Sequence, residues 1–181
     1  MRRLAPWILA PIAAVSLAAC NNAAGDAAAP AEVTMNAAIA ADDQFDTLEA
    51  VVENAGLEAV LNGVGPYTVI APLNDAFNQS GAPDFTADDM AAQGAELVRA
   101  HLLPGTVTRE DLLAAIDRGG ADGATLLTMA DEVLTFTRDG DAIVVTAENG
   151  ATARLTGREV VASNGVIQPA DGLLIGAAPA G

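Results

Sequence analysis

Gly65-Pro66-Tyr67-Thr68-Val69-Ile70-Ala71-Pro72, with Leu73-Asn74-Asp75-Ala76-Phe77 directly after it, is the stretch from which the fold can be read. Tyr67 to Ile70 is rich in β-branched and aromatic residues and is stopped by Pro72, so it reads as a short strand. Asp75-Ala76-Phe77 reads as a helical turn behind it, with Asn74 and Asp75 as turn-capping residues rather than reactive ones. A lone strand among helical patterns needs partners elsewhere in the chain. Strand-like patterns recur only after about residue 124.

On both sides of this strand the pattern is helical. Phe45, Leu48, Val52 and Ala55 recur at helical spacing, and Gly56 is placed to end that helix. Residues 57–61 make another short turn before Gly63. Downstream, Thr86 and Asp89 form a weak N-cap box ahead of a stripe of Met90, Ala91, Gly94, Leu97, Val98 and His101, closed by Pro104-Gly105. Thr108 and Asp111 repeat the cap signal before Leu112, Leu113 and Ile116, a face that runs up to Gly119. From about 124 to 176 the grammar changes to strands and tight turns. Residues 126–127, 133–136, 143–145, 152–155, 160–161, 166–167 and 173–175 are apolar or β-branched runs. Asp139-Gly140, Asn149-Gly150, Asn164-Gly165 and Asp171-Gly172 punctuate them, because Gly, and often Asn or Asp, tolerates positive φ. The expected class is α+β: helices first, then an antiparallel meander that the strand at Tyr67 joins.

Four segments, taken in order, resemble the fasciclin domain family. The opening stretch, with Pro72, Asn74, Asp75 and Phe77, is similar to that family's first signature. His101-Leu102-Leu103-Pro104-Gly105 is similar to the segment around its Tyr-His pair. Asn164-Gly165-Val166-Ile167 with Asp171-Gly172-Leu173-Leu174 is similar to its second signature. Phe45-Asp46-Thr47-Leu48 with Ala55-Gly56-Leu57 fits the first helix and its end. The resemblance implies a β-sandwich wedge with helices packed on one side, covering 37–178, and a cell-surface or matrix adhesion role. Three positions depart from the pattern. Leu73 stands for the usual Thr or Ser, Ala100 for the Tyr before the central His, and Gln168, followed by Pro169, for the His of the second signature. Animal members bind integrins partly through the region around the Tyr-His pair, so the resemblance does not carry integrin binding to this chain.

The N-terminus reads as an address. Met1-Arg2-Arg3 is followed by an uncharged apolar run from Leu4 to Ala19 that ends in Leu17-Ala18-Ala19-Cys20. A basic start, an apolar middle and small residues before a cut define a secretory signal. The run is shorter than the roughly 20 residues a spanning helix needs, and Pro6 and Pro11 interrupt it. The cut site resembles the lipobox of bacterial lipoproteins, which implies that Cys20 is the lipid attachment point. An ordinary secreted protein that loses Cys20 with its signal is the alternative. In that family Asp after the Cys favours inner-membrane retention. Asn21 therefore points to the outer membrane, facing periplasm or cell surface. Residues 1–19 are then the signal, 20–36 a lipidated Cys with a disordered, Ala- and Asn-rich tether, and 179–181 a short tail.

Composition narrows the functional classes. The 181 residues carry 24 Asp and Glu against 8 Lys and Arg, all of them Arg, for a formal net charge of −16. Without residues 1–19, which hold Arg2 and Arg3 and no acid, 6 basic and 24 acidic residues leave −18. Such a surface repels phosphates, so nucleic acid is excluded as a partner. One Cys and one His cannot build a Cys/His zinc site, and one Cys cannot make an intrachain disulfide. No metal and no cofactor is expected. His101, the single imidazole, is the first catalytic candidate, but it lies on the apolar stripe with Leu97 and Val98. A core His bonded to backbone is the better reading, and neither Ser80 nor Ser163 sits in a nucleophile-elbow setting. Asp42-Asp43 and Asp88-Asp89 stand at helix starts, where the dipole favours negative charge, rather than in a calcium site. Asp171 is expected to bond backbone in a turn. Asn78-Gln79-Ser80 matches a glycosylation acceptor by chance. The leading expectation is a non-catalytic envelope module that binds protein or polysaccharide. A carrier of a small apolar ligand such as a carotenoid is the alternative, and an enzyme the least favoured class.

Overall fold

The computed structural model describes residues 32–78 and 82–175. Cys20, the signal, most of the tether, Gln79 and Ser80 of the acceptor triplet, and the tail lie outside the described residues.

The chain opens with α1 (Met35–Ala40), whose N-terminus is capped by the Thr34 hydroxyl accepting from the Ala37 N–H. Met35 is fully buried, so residues assigned to the tether up to 36 already belong to the first helix. The Asp42 carboxylate caps a 3-10 turn, Asp43–Phe45, that leads into α2 (Asp46–Asn54). Gly56 then takes φ of 64°, which lets the chain leave that helix and enter α3 (Glu58–Leu61). Strand β1 (Tyr67–Pro72), the single turn α4 (Asn74–Phe77) and α5 (Ala91–Ala100) follow. After them come β2 (Leu102–Pro104) and α6 (Arg109–Gly119). Six strands complete the described chain: β3 (Ala124–Leu127), β4 (Val133–Asp139), β5 (Ala142–Ala147), β6 (Thr152–Arg154), β7 (Val160–Ala162) and β8 (Gly165–Ala170).

The strands form two four-stranded sheets, in the orders β2-β1-β8-β7 and β3-β4-β5-β6. The second is an all-antiparallel meander of neighbouring hairpins. The first is mixed: β1 runs parallel to β8, in register from Tyr67↔Gly165 to Pro72↔Ala170, and antiparallel to β2. The first sheet is the middle of three layers. Val69, Ala71 and Ile167 pack on one face against Phe45, Leu48 and Leu97 of the helices. Ile70, Leu103 and Ala170 pack on the other against Leu134, Phe136 and Val145 of the meander, with Leu112 and Ile116 of α6 closing that core. Hence β8 is buried at every residue while β5 alternates, as expected for a sheet covered on both faces and one covered on a single face. The class is α+β, as the sequence predicts.

Four local expectations change. The meander does not run on through 176, because β7 and β8 cross to the first sheet. Leu173 to Ile175 is not a strand; it follows β8 as a bend with Leu174 fully buried. Pro104-Gly105 does not close α5, which ends at Ala100, since Leu102 to Pro104 pairs with β1 instead. The Thr86 cap box is absent. Its hydroxyl and backbone N–H both bond the Asp84 carboxylate, while Ala87 stands at the cap position. The Asp84 carboxyl is held below its usual range chiefly by the Thr86 hydroxyl. The Thr108–Asp111 box does form, as a reciprocal pair that caps α6, and the Thr108 hydroxyl holds the Asp111 carboxyl low as well.

Candidate functional site

Three of the signature residues, Asn164, Gly165 and His101, join segments that are far apart in sequence. Asn164, in the β7–β8 turn, is buried and accepts from the Met35 N–H at 2.8 Å through Oδ1. Its Nδ2 donates to the carbonyls of Leu61 and Gly63, both at 2.8 Å. One amide thus ties the first helix, the end of α3 and the last hairpin, and fills three of its four hydrogen-bonding positions with long-range bonds. Gly165 lies where β8 passes β1; a Cβ there would collide with the Tyr67 carbonyl oxygen.

His101 follows α5 and is completely buried. Nδ1 is 2.8 Å from the Leu97 carbonyl, and the Leu174 N–H points at Nε2 from 3.0 Å. A carbonyl only accepts and an N–H only donates, so the ring is neutral with its proton on Nδ1. Burial lowers its pKa from 6.5 to about 4, against a smaller upward pull from the Leu97 carbonyl. Both nitrogens are used in joining α5 to the segment after β8, and neither faces a nucleophile.

A second polar knot lies at the β1–β8 pair and was not singled out from the sequence. The Thr68 hydroxyl, fully buried, donates to the Gly105 carbonyl and accepts from the Val107 N–H, both at 2.8 Å. Gln168 is also fully buried. Its Nε2 donates to Glu159 at 2.7 Å and to the Val107 carbonyl at 3.2 Å, and its Oε1 accepts from Arg109 Nε at 3.1 Å. Glu159 in turn accepts from the Arg109 backbone N–H at 2.6 Å. Burial presses on the charge of the Arg109 guanidinium, and Glu159 counters it. The Gln in place of the resembled family's His is therefore the centre of a network. The departure itself was the available signal.

The remaining signature residues are structural in simpler ways. Asn74 caps a different helix from the one expected: Oδ1 accepts from the Thr47 N–H at 2.9 Å and Nδ2 donates to the Asp43 carbonyl at 2.7 Å. Pro72 ends β1 opposite Ala170, Phe77 packs half-buried on the helical core, and Asp75 is exposed. Pro104, at the end of β2, is exposed, and Gly105 turns the chain at φ of 94°. Asp171 accepts from the Arg154 N–H at 2.6 Å and returns its own N–H to the Arg154 carbonyl at 3.1 Å. Gly172 lies so near the Thr152 carbonyl that an added Cβ would stand 2.7 Å from it. Asp42, Asp43, Asp88 and Asp89 all sit at the starts of 3-10 turns.

A cavity of about 340 Å³ lies between α5 and the turns of the meander, with Phe85, Met90, Leu97 and Ile175 as apolar walls and Glu132 and Asn149 at its edge. The Glu132 Oε2 atom is buried without a hydrogen-bond partner. Among the described residues no group of His, Cys, Asp and Glu could hold a metal ion, and no helix is long and apolar enough to cross a membrane.

The sequence profile described as "Fasciclin domain" matches residues 43–176. Human Stabilin-1 is 30% identical over 145 residues, covering 78% of this chain and 5% of that protein. The transforming growth factor-beta-induced protein ig-h3 of Sus scrofa is 32% identical over 74% of this chain and 18% of its own length. The chain therefore spans only a small part of these animal relatives. Protein sll1483 of Synechocystis is 32% identical over 82% of this chain and 77% of its own length. Among solved structures, a FAS1 domain pair from the insect cell adhesion molecule Fasciclin I superposes with a TM-score of 0.70 at 15% identity, covering 81% of this chain and 52% of that one.

Proposed function

The chain belongs to the fasciclin domain family, and on that premise we propose that it is a non-catalytic interaction module, exported and held at the bacterial cell envelope by a lipid on Cys20. It binds an envelope or extracellular protein or a polysaccharide through exposed loops and sheet faces. The observation that carries the non-catalytic reading is His101: the chain's one imidazole is buried, neutral and engaged at both nitrogens with backbone. The acidic surface favours a cationic or neutral partner, or an anionic glycan bridged by divalent cations. Pull-down from envelope extract and cell-aggregation assays on a deletion strain test this. Recovery of a specific partner with impaired aggregation is the expected result; an empty pull-down with unchanged aggregation overturns it. For the anchor, Cys20→Ala should abolish processing at that site and move the protein out of the membrane fraction. A variant that still pellets with outer membrane refutes it.

The cavity beside Phe85 and Leu97 favours a second reading, a carrier of a small apolar ligand. Protein purified from its native host should then absorb visible light if the ligand is a carotenoid, and a colourless preparation counts against that pigment.

A further inference from the structure

Val64 is 98% exposed, Val33 46% and Val60 37%. Among the described residues these are three of the five exposed large hydrophobics, and the other two, Leu127 and Met129, lie at the β3–β4 turn. The three valines share one corner of the domain. The Ser163 N–H bonds the Val33 carbonyl at 2.9 Å, the Thr34 hydroxyl bonds Asn62 Oδ1 at 2.7 Å, and Asn164 holds the Gly63 carbonyl beside Val64. Gly65, on the other side of Val64, packs against the Asn164 backbone so closely that no Cβ fits. Val64 is therefore held out in water by a fixed frame, with little ordering cost left to pay on contact with an apolar medium.

The charge around it is as unusual as the exposure. Residues 33–41, 59–66 and 160–170, the three segments that meet there, contain no Asp, Glu, Lys or Arg in a chain of net charge −16, and the acids that flank them are Glu32, Asp42, Glu58, Glu159 and Asp171. The corner is also where the N-terminal stretch arrives, since Val33 is thirteen residues from Cys20. A coil of that length spans roughly 20 Å. A lipid on Cys20 would keep this corner within a few nanometres of the bilayer, at an effective concentration high enough for a weak contact to form.

We propose that the Val33–Val60–Val64 corner rests on the lipid surface and sets the orientation of the anchored domain, with the meander pointing away from the membrane. The inference depends on the lipid-anchor reading above. Acidic faces are repelled by anionic headgroups, so the corner, whose three segments carry no charged residue of their own, is the part that can approach, and its valines enter the headgroup boundary.

The test uses the full chain, expressed and processed in bacteria, with a nitroxide spin label at Val64→Cys or, as control, at Asp141→Cys in the exposed β4–β5 turn of the other sheet. Membrane fractionation is scored first, then the accessibility of each label to oxygen against a water-soluble nickel chelate. The expected result is a membrane-bound protein whose oxygen-to-nickel accessibility ratio is severalfold higher at 64 than at 141. A membrane-bound protein with equal ratios overturns the corner and leaves the anchor standing. A protein recovered in the soluble fraction overturns both. Because Val64 makes almost no buried contact, Val64→Cys leaves the fold intact, and circular dichroism checks this.

Discussion

The two sheets are built on different physics. The meander pairs neighbours in sequence. Buried and half-buried residues alternate along β4 and β5, and its buried face is Leu134, Phe136, Ile143, Val145 and Ala153. The first sheet joins β1 to β8, with Tyr67 opposite Gly165, and is covered on both faces. Thr68, His101, Asn164 and Gln168, four of the five buried polar residues among those described, belong to this sheet or the segments joined to it. A hairpin closes a short loop and needs only a turn and an apolar face. A parallel pair from opposite ends of a domain must have its register specified by groups that recognise each other at a distance. Directional hydrogen bonds supply that specification, and an unmade one in the interior is costly.

The contrast is broken most severely by Asn164→Ala. It leaves the Met35 N–H and the Leu61 and Gly63 carbonyls without their partner. Orphaned groups cost about 1–3 kcal/mol each, reduced where water enters. A loss of about 4 kcal/mol is expected in urea unfolding, large against a typical domain stability of about 5–15 kcal/mol. A loss under about 1 kcal/mol would show that the side chain is dispensable and the register set by apolar packing alone.

This division also explains what the sequence discloses. The meander is legible because each Asp-Gly or Asn-Gly turn acts within a few residues, and the reciprocal Thr108–Asp111 box is legible for the same reason. Asn164 and His101 stand out through the family resemblance, but neither spacing nor composition says what they bond. Met35 reads as tether because its neighbours are small and polar, whereas its burial comes from strands more than a hundred residues away. Leu173 to Ile175 reads as a strand on apolarity, yet Leu174 is drawn inward by its N–H bond to His101. The Gln168–Arg109–Glu159 network joins residues 59 and 9 positions apart, beyond any local pattern.

His101 sharpens the comparison through pH. Its folded pKa, about 4, lies below its ordinary value of 6.5. The unfolded chain therefore binds the proton first as pH falls. Stability from this group is full above pH 6.5, declines between 6.5 and about 4, and then levels off. The span corresponds to about 3 kcal/mol. The cause is specific: a proton on Nε2 would face the Leu174 N–H, donor against donor, inside the core. Urea midpoints of wild type and His101→Gln, measured at steps from pH 7 to 4, check this. The variant should be less stable at pH 7 by about 2 kcal/mol, from the altered bonds to Leu97 and Leu174, and should lack the histidine part of the slope. Identical slopes in the two proteins would assign the acid sensitivity elsewhere.

The smallest effect is expected on the meander. Arg154 Nη2 meets Asp139 at 2.6 Å across the strands, the shorter of the two ion pairs found among the described residues. Distance alone suggests a strong contact, but the side chains are 50% and 63% exposed. At such exposure solvent screens the attraction, and fixing two long side chains offsets much of the rest, so exposed pairs contribute about 0.2–1 kcal/mol. What holds this end of β6 is the main chain of Arg154: its N–H donates to the Asp171 carboxylate and its carbonyl accepts from the Asp171 N–H, and neither bond needs the guanidinium. Arg154→Ala should therefore cost under about 1 kcal/mol, and 0.5 M salt should shrink the difference from wild type further. A loss above about 2 kcal/mol that persists in salt would mean that the meander, too, depends on a specific polar contact, and the contrast between the sheets would fail at its hairpin side.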